Sequence, residues 1–579
     1  MNRFNDFADY IQQAMASWHC PGVALAIVKG DDVLYQTVFG QRDVENNLPL
    51  TADTRFAMAS VTKSVTALSV ALLVDEGKLE WDKPVWEYMP EFILDDPYVT
   101  RQVTVRDMLC HRTGLPRHDL AAWRLDISRA EFIKRMRHFK FSATFREKFQ
   151  YNNLMYYAAA YLVEKLAGQK WEAFVRERIF TPLGMTASNF SPEPPQAGQE
   201  NAIGYRVDRD EAGAAKGLVA MPFGLHTELS PGAAGALFST LADLTQWLKL
   251  QLNEGQVGGV RVISPHNLKQ LHLPQMVIPG GGMSEALFGN TLFAYGLGWF
   301  IEPFGSYTLI QHGGNVEGHS LMIGFVPQEQ VGVVALTNVA SLPLRDVLLY
   351  ESLDRALTGS SRDWNGRFHQ VFDPLIVGQA KSKQTAAAEK VADAPPTHPL
   401  DDYLGAYEAD GYPNFAVRQT EEGLQACTVG SLLWSELRHY HYNHFEWHWA
   451  DFDAWVKVSF VVDETGAMAS VSIPIEPEVD NVVFSRKQPE LNEALLTALL
   501  GDYEFEIAGF TLTLTAHEGK VYVTQTGGAP EEITCYKLSD ALVGFKLQRT
   551  RLDFACADGR VIGLTLKSPG MTLEGKRKA

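Results

Sequence analysis

Ser60-Val61-Thr62-Lys63 opens an apolar run, Val65-Thr66-Ala67-Leu68-Ser69-Val70-Ala71-Leu72-Leu73-Val74, that stops at Asp75-Glu76-Gly77. The run reads as a buried helix too short to cross a membrane. Positions 60 and 63 are i and i+3, so they share a face. A serine hydroxyl becomes a good nucleophile only when a neighbour takes its proton. A lysine can do that only where burial and nearby groups hold its pKa down. The unpaired N–H groups at a helix start favour developing negative charge, which makes the backbone N–H of Ser60 a candidate for half of an oxyanion hole. Taken alone, the same spacing also describes a surface helix with a capping serine and a solvated lysine.

Composition sets the frame. A chain of 579 residues, 46% hydrophobic and 21% charged, has the make-up of ordinary globular proteins and the length for about two to four domains. A net charge of −18 argues against nucleic acid or an anionic membrane as partner. The five cysteines are scattered, with no C-x-x-C pair, so neither a disulfide framework nor a zinc site is expected. No cofactor or metal is called for. The start, Met1-Asn2-Arg3-Phe4-Asn5-Asp6-Phe7, lacks an uninterrupted apolar stretch, and a cytoplasmic location is the default expectation unless a signal has been trimmed. The expected partner is a small molecule or short peptide, with homo-oligomerisation left open.

Outward from residue 60, helical and strand patterns sort into a plan. Residues 4 to 18 read as an amphipathic helix, Gly22–Val28 as a buried strand, and Val33–Phe39 as its hairpin partner across Lys29-Gly30-Asp31-Asp32. Helices dominate from about 60 to 255, including Asn153–Ala167 and Leu241–Leu252. Strands return with Tyr295–Phe300 and Gly332–Thr337, and a helix follows over Leu344–Leu357. This order predicts one sheet built from both ends of the segment, with a helical insertion between. Beyond a linker stretch at 381–396, read as partly helical, the chain reads as short strands and turns, with a faint internal repeat. Leu404-Gly405-Ala406-Tyr407-Glu408 matches Leu500-Gly501-Asp502-Tyr503-Glu504. Turn glycines follow at Gly423 and Gly519 and again at Gly466 and Gly559, and each copy ends in a basic group, Arg486-Lys487 and Lys576-Arg577-Lys578. Two tandem antiparallel barrels account for this, because closure removes exposed strand edges. The expected domains are 1–375, a linker over 376–398, and barrels over 399–488 and 489–579.

Two further clusters carry chemistry. Tyr151-Asn152-Asn153 stands just before a helix, where Tyr151 could exchange a proton with the serine oxygen or the leaving group and Asn153 could orient Lys63 and a substrate carbonyl. The plainer reading has Asn153 capping the helix and Tyr151 packing beside it. Gln311-His312-Gly313-Gly314-Asn315 has glycines at a strand margin, where a ligand or another backbone often comes close; alternatively it is a bulged hairpin with a structural histidine. In the barrel region, His439, His441, His444 and His448 alternate with Tyr440, Tyr442, Phe445, Trp447 and Trp449. That pattern fits strands with aromatic rings on one face and histidines on the other, rather than a zinc site.

Ser60-x-x-Lys63, Tyr151-x-Asn153 and His312-x-Gly314, in this order, resemble the three motifs of the penicillin-recognising serine hydrolases, which include class C β-lactamases, D,D-peptidases, D-aminopeptidases and related esterases. Supporting segments resemble the family too: Pro21-Gly22-Val23, Thr104–Pro116, Pro182-Leu183-Gly184-Met185 and Gly235–Leu244. The resemblance implies an α/β (α+β) β-lactamase/D,D-peptidase-like domain with an antiparallel sheet and helical insertion, followed here by two small lipocalin-like barrels. It implies that Ser60 is acylated, that Lys63 and Tyr151 share the proton traffic, and that Asn153, His312, Gly313, Gly314 and Asn315 bind substrate, with the N–H groups of Ser60 and Asn315 as oxyanion hole.

Many members carry lysine where this chain has His312. An unperturbed histidine, of pKa about 6.5, is mostly neutral at neutral pH, so a substrate carboxylate loses its strongest anchor. D-Aminopeptidases and certain esterases share the histidine, and the D-aminopeptidases also share the two-barrel plan. In them a loop of the last domain restricts the site, and Thr526–Glu531 is the candidate here. Glu317 is a candidate contact for a substrate ammonium. The expected activity is hydrolysis of small peptides or amides with a D-aminopeptidase-like preference. The alternatives are a carboxylesterase or weak β-lactamase/D,D-peptidase of the same family, and a non-catalytic scaffold.

Overall fold

The structure is a computed structural model that describes residues 3–578 apart from 123–124, 126, 191–199, 222–231, 281, 341–342, 389, 429–432, 451–453, 489–490, 539–541, 549, 558–559 and 569. The chain divides into two compact units, Met1–Glu389 and Lys390–Ala579.

In the first unit, helix α1 (Phe7–Ser17) leads into strands β1 (Gly22–Lys29) and β2 (Asp32–Asp43). The other main strands come nearly three hundred residues later: β3 (Phe300–Phe304), β4 (Tyr307–Val316), β5 (His319–Val326) and β6 (Val331–Thr337). β6 pairs antiparallel with β1, Val23 opposite Thr337. The nine-stranded sheet therefore runs Met276–Ile278, Phe293–Tyr295, β3, β4, β5, β6, β1, β2, Leu48–Pro49. This is the sheet expected from both ends of the segment.

The period of two along β6 fixes the layers. Val333 and Ala335 face a core with Phe7, Ile11 and Trp18 of α1 and its flank and Val347, Leu348 and Leu353 of a helix over Leu344–Thr358. Gly332 faces the opposite way, against Leu248 of the helix Leu241–Leu252. β1 is buried on both faces, which explains its continuous apolar run. The insertion carries α2 (Thr62–Asp75) and α3 (Leu154–Ala167), which pack on each other. α2 is buried all round from Thr62 to Leu73.

One strand expected as a single element is divided. Tyr295 pairs with Phe300 across a tight turn closed by Gly296 N–H donating to Trp299 O at 2.8 Å, and Gly298 takes φ +83° there. A Cβ on Gly298 would stand 3.0 Å from Lys63 O and 3.1 Å from Ser64 Cα, so the turn presses on the start of α2. Toward the end of the unit a helix spans Trp364–Ala388, taking in residues 381–388 of the segment read as a linker, in keeping with its Lys, Gln and Ala content.

The second unit holds two closed eight-stranded barrels, from Gly405–Glu408 to Val482–Arg486 and from Gly501–Phe505 to Met571–Arg577. The sequence repeat is a repeat of closure. Tyr407 Oη donates to Tyr403 O at 2.9 Å and Tyr503 Oη to Leu499 O at 2.8 Å. Arg486 and Arg577 each donate through Nη2, at 2.7 Å, to Leu404 O and Leu500 O. Lys487 N–H and Lys578 N–H close the ladders on Ala406 O and Asp502 O, both at 2.8 Å. Gly423, Gly466 and Gly519 take positive φ, as turn residues do, and Gly559 lies outside the described residues. Thr526–Glu531 connects two strands of the second barrel, with Gly528 N–H donating to Gln525 O. In the histidine-rich hairpin of the first barrel, Tyr440, Phe445 and Trp447 point inward while His439, His441, His444 and His448 stay partly or wholly exposed. Among the described residues no group of three His, Cys, Asp or Glu is placed to hold a metal ion, and no helix is long and apolar enough to cross a membrane.

Candidate active site

Ser60 sits in a single 3-10 turn, Ala59–Val61, that runs directly into α2. Ala59 has φ +44°, a left-handed backbone that costs a residue with a Cβ about 1 kcal/mol or more. One turn on, the fully buried Lys63 donates from Nζ to Ser60 Oγ at 3.0 Å and to Ala234 O at 3.0 Å. Burial, helped by the positive charge of Arg117, holds the Lys63 pKa well below the ordinary lysine value, against the opposing pull of Asp119.

Tyr151 covers this pair. Its ring centroid is 4.7 Å from Lys63 Nζ, and Ser60 is near enough to its phenol to lower the phenol pKa. Burial pushes that pKa up, and Ser60 and the charge of Arg117 only partly offset this. Ser60 Oγ thus has an amine in hydrogen-bonding contact and a phenol beside it, and burial favours the neutral form of both. A proton can then move among the three without leaving a lone charge in the interior.

The two asparagines divide the work differently from the plainer sequence reading. Asn152 Oδ1 accepts the N–H of Met155 at 3.0 Å and caps α3. Asn153 makes no side-chain cap; its Nδ2 donates to Asp119 Oδ1 at 2.8 Å, and Asp119 Oδ2 accepts from Arg117 Nε at 2.7 Å.

The third motif lies in β4, and its register with β5 is unbroken from Ile310 to Val316, so it is not a bulge. β3 pairs with β4 only as far as Gln311, so from His312 onward that edge is turned to the Ala59–Val61 turn. Gly314 allows the approach: a Cβ there would lie 2.4 Å from Met58 O and 3.1 Å from Ala59 Cβ. A Cβ on Gly313, on the other face, would meet the guanidinium of Arg345 at 2.8 Å. Arg345 Nη1 donates to Gly314 O at 2.8 Å. His312 is 1% exposed, with Nε2 2.9 Å from Tyr295 Oη and Nδ1 2.7 Å from Gly313 O. Burial, reinforced by the charges of Lys63 and Arg345 and opposed by the Gly313 carbonyl, takes its pKa down to about 3. The ring is neutral at neutral pH. Half-buried Phe300 lies 5.2 Å from it, stacked on Phe293 at 5.3 Å, and Phe149 stands 5.5 Å from Tyr295. Asn315 is exposed, and its Oδ1 accepts from Ser320 Oγ at 2.7 Å. Glu317 is placed in the β4–β5 turn with φ +40°, its carbonyl against Gly204 and its charge acting on His319.

Residues 7–356, more than half of the chain, match the family described as Beta-lactamase. The chain belongs to the β-lactamase family. Residues 389–484 match a second family, described as a domain of unknown function. The unguisins hydrolase ungD' of Aspergillus campestris is 30% identical over 434 residues, which cover 72% of this chain and 78% of that protein. The unguisins hydrolase ungD of Aspergillus violaceofuscus is 25% identical over 430 residues, 70% and 75% of the two chains. Among solved structures, an octameric penicillin-binding protein homologue from Pyrococcus abyssi matches with a TM-score of 0.54 at 22% identity, over 98% of this chain and 99% of its own. A class C β-lactamase matches at 0.51 and 20% identity over 62% and 97%. At those identities the two structures speak to fold alone. With the family match and the hydrolase relatives, this β-lactamase-family protein is a serine hydrolase.

Several groups at the site of this family member were not singled out from its sequence. The Ala234 carbonyl enters through the small-residue turn Gly232–Ala234, where a Cβ on Gly232 would press on the Tyr157 ring at 3.3 Å; the run Gly232-Ala233-Ala234-Gly235-Ala236 was its only signal. Tyr295, Arg345, Arg117 and Asp119 carry no pattern of their own.

Proposed function

We propose that this hydrolase cleaves small amides or short peptides through an acyl-enzyme on Ser60, with a D-aminopeptidase-like preference. The observation that carries the reading is a serine hydroxyl 3.0 Å from a fully buried lysine amine whose pKa is driven down. Lys63 takes the Ser60 proton as Oγ attacks the carbonyl carbon, and the N–H groups of Ser60 and Asn315 receive the oxyanion. As the C–N bond breaks, the Lys63–Tyr151 pair returns that proton to the departing amine. Water then attacks the ester, giving up a proton to the same pair, which restores it to Ser60 Oγ as the acid leaves. Asn153, held by Asp119, is positioned to accept part of the substrate.

The neutral His312 and the rings of Phe300, Phe293 and Phe149 support a substrate whose group on that side is uncharged and apolar. A panel of D- and L-amino-acid anilides, short acyl esters, and peptides with free or amidated carboxyl ends tests the reading, with Ser60→Ala as control. The expected order is amides of D-residues first and free carboxylates last. Turnover of esters alone would sink the peptidase choice and leave a carboxylesterase.

A further inference from the structure

His111 belongs to the Thr104–Pro116 segment, which the chemistry above does not use. Its carbonyl accepts the N–H of Gln150 at 2.8 Å, and its Nδ1 accepts the N–H of Asn152 at 3.0 Å. These are the two amides that flank Tyr151. The imidazole also packs on the Tyr151 ring, centroids 4.5 Å apart and planes 36° apart, with the rings of Tyr295 at 4.8 Å and Tyr156 at 5.3 Å around it. The residue is costly to keep there. It takes φ +62°, a left-handed backbone worth about 1 kcal/mol or more of strain. Because Nδ1 accepts, the ring proton sits on Nε2, which is buried and has no hydrogen-bond partner among the described residues. An unpartnered buried donor costs about 1–3 kcal/mol.

The segment that carries His111 is itself fixed. The buried Asp107 carboxylate accepts from Thr104 N at 2.9 Å and Oγ1 at 2.8 Å, from Arg112 Nε at 2.5 Å, and from Arg146 Nε at 2.9 Å and Nη2 at 2.8 Å. Arg146 N–H also donates to Arg112 O at 2.9 Å. The strand of chain that delivers Tyr151 is thereby tied to the helix end that carries His111.

We infer that His111 is a positioning residue for Tyr151: it grips the amide on either side of the tyrosine and one face of its ring, and so sets the phenol on Ser60. The inference rests on the acyl-enzyme reading and adds to it a residue that touches no substrate. Asparagine at 111 is the discriminating replacement. Its Oδ1 falls where Nδ1 stands, and it tolerates a left-handed backbone, whereas leucine keeps bulk and supplies no acceptor.

The full chain is labelled with a fluorophosphonate, and the rate of Ser60 modification is followed by intact mass alongside kcat and KM on an amide substrate. His111→Leu is expected to slow labelling and kcat about 100-fold with KM within about threefold, the size of effect that misplacing a reacting group by about 1 Å produces. His111→Asn is expected to recover to within about tenfold of the parent. In a Tyr151→Phe background either replacement should add less than about twofold, since the group it positions is gone. An Asn variant as slow as the Leu variant, or an effect that multiplies in full with Tyr151→Phe, overturns the inference. If the Leu variant fails to fold, the Asn variant and its double mutant still decide. Labelling that persists in Ser60→Ala overturns the acyl-enzyme reading itself, an outcome distinct from Ser60-dependent labelling without the expected coupling.

Discussion

Gly314→Ala should disable the enzyme while Gly313→Ala should not, although the two glycines are neighbours in one strand. At 314 a Cβ would stand 2.4 Å from Met58 O, 3.0 Å from Leu321 Cδ1 and 3.1 Å from Ala59 Cβ. Leu321 can rotate away, but Met58 O is backbone, and the Met58 N–H is pinned to Leu237 O at 2.7 Å. A carbon and a carbonyl oxygen settle at about 3.3 Å or more, so β4 must retreat from the nucleophile's turn by about 0.9 Å. Asn315 and its N–H retreat with it. A misplacement of about 1 Å costs about 100-fold, or ~2.7 kcal/mol of transition-state stabilisation, and the overpacking adds about 1–3 kcal/mol of lost stability. At 313 the three atoms nearest the new Cβ all belong to the Arg345 guanidinium, the end of a long side chain that can shift at the expense of its bond to Gly314 O and without moving backbone, and activity should stay within about fivefold. The assay is kcat/KM with Tm measured on the same preparations. A Gly314→Ala enzyme within about threefold of the parent at unchanged Tm, or a Gly313→Ala enzyme equally impaired, would refute this account of why the strand carries glycines.

Further outcomes are expected at Lys63, at Asp107 and at the two barrel closures. With Lys63 as base, kcat/KM should fall on the acid side at a pH well below the ordinary lysine value of about 10.4, and Lys63→Arg, charged at every pH, should lose turnover. The same group sets a stability trend: the folded chain gives up this proton before the unfolded chain does, so stability rises with pH between the folded value and about 10.4, and Lys63→Met should flatten that rise in urea titrations. Asp107→Asn should cost about 3–5 kcal/mol, because two arginines lose a buried partner. Burial opposes the Asp107 charge, but hydrogen bonds from Arg146, Thr104 and Arg112 outweigh it and hold the carboxyl low. Its contribution is therefore complete above about 3.9 and lost as pH falls through the folded value, which denaturant midpoints read directly. Tyr407→Phe and Tyr503→Phe each remove a buried hydrogen bond at equivalent closures and should each cost about 1 kcal/mol by calorimetry.

The parts legible in the sequence were those whose signal is local. The spacing of Ser60 and Lys63, the apolar run of α2, the strand patterns of β1 and β6, and the matched pentapeptides at Tyr407 and Tyr503 all carry their meaning within a few residues. What was missed depends on contacts distant in sequence. Tyr295–Phe300 looks like one strand because nothing nearby shows that Gly298 must turn against Lys63 and Ser64. For Asn153 the sequence left a substrate contact and a helix cap side by side; the cap falls to the adjacent Asn152, and the Asn153 side chain goes to Asp119, a partner 34 residues away that the motif does not show. His312 was read as mostly neutral from its ordinary pKa; the burial that makes this firm comes from Tyr295 and β4 and is invisible in the motif. His111 stood in a quoted segment, yet its grip on residues 150 and 152 appears only when the two stretches are side by side.

The pairing of β1 with β6 also has a consequence in time. On a ribosome adding about 5–20 residues per second, roughly 15–60 s separate the emergence of Val23 from that of Thr337, its partner. Until then β1 has no neighbour on one side, and the sheet that carries His312 beside Ser60 does not exist. Ser60 is synthesised early and meets its sheet late, so a chain interrupted before about residue 337 is expected to show no partial activity and to leave one edge of β1 unpaired.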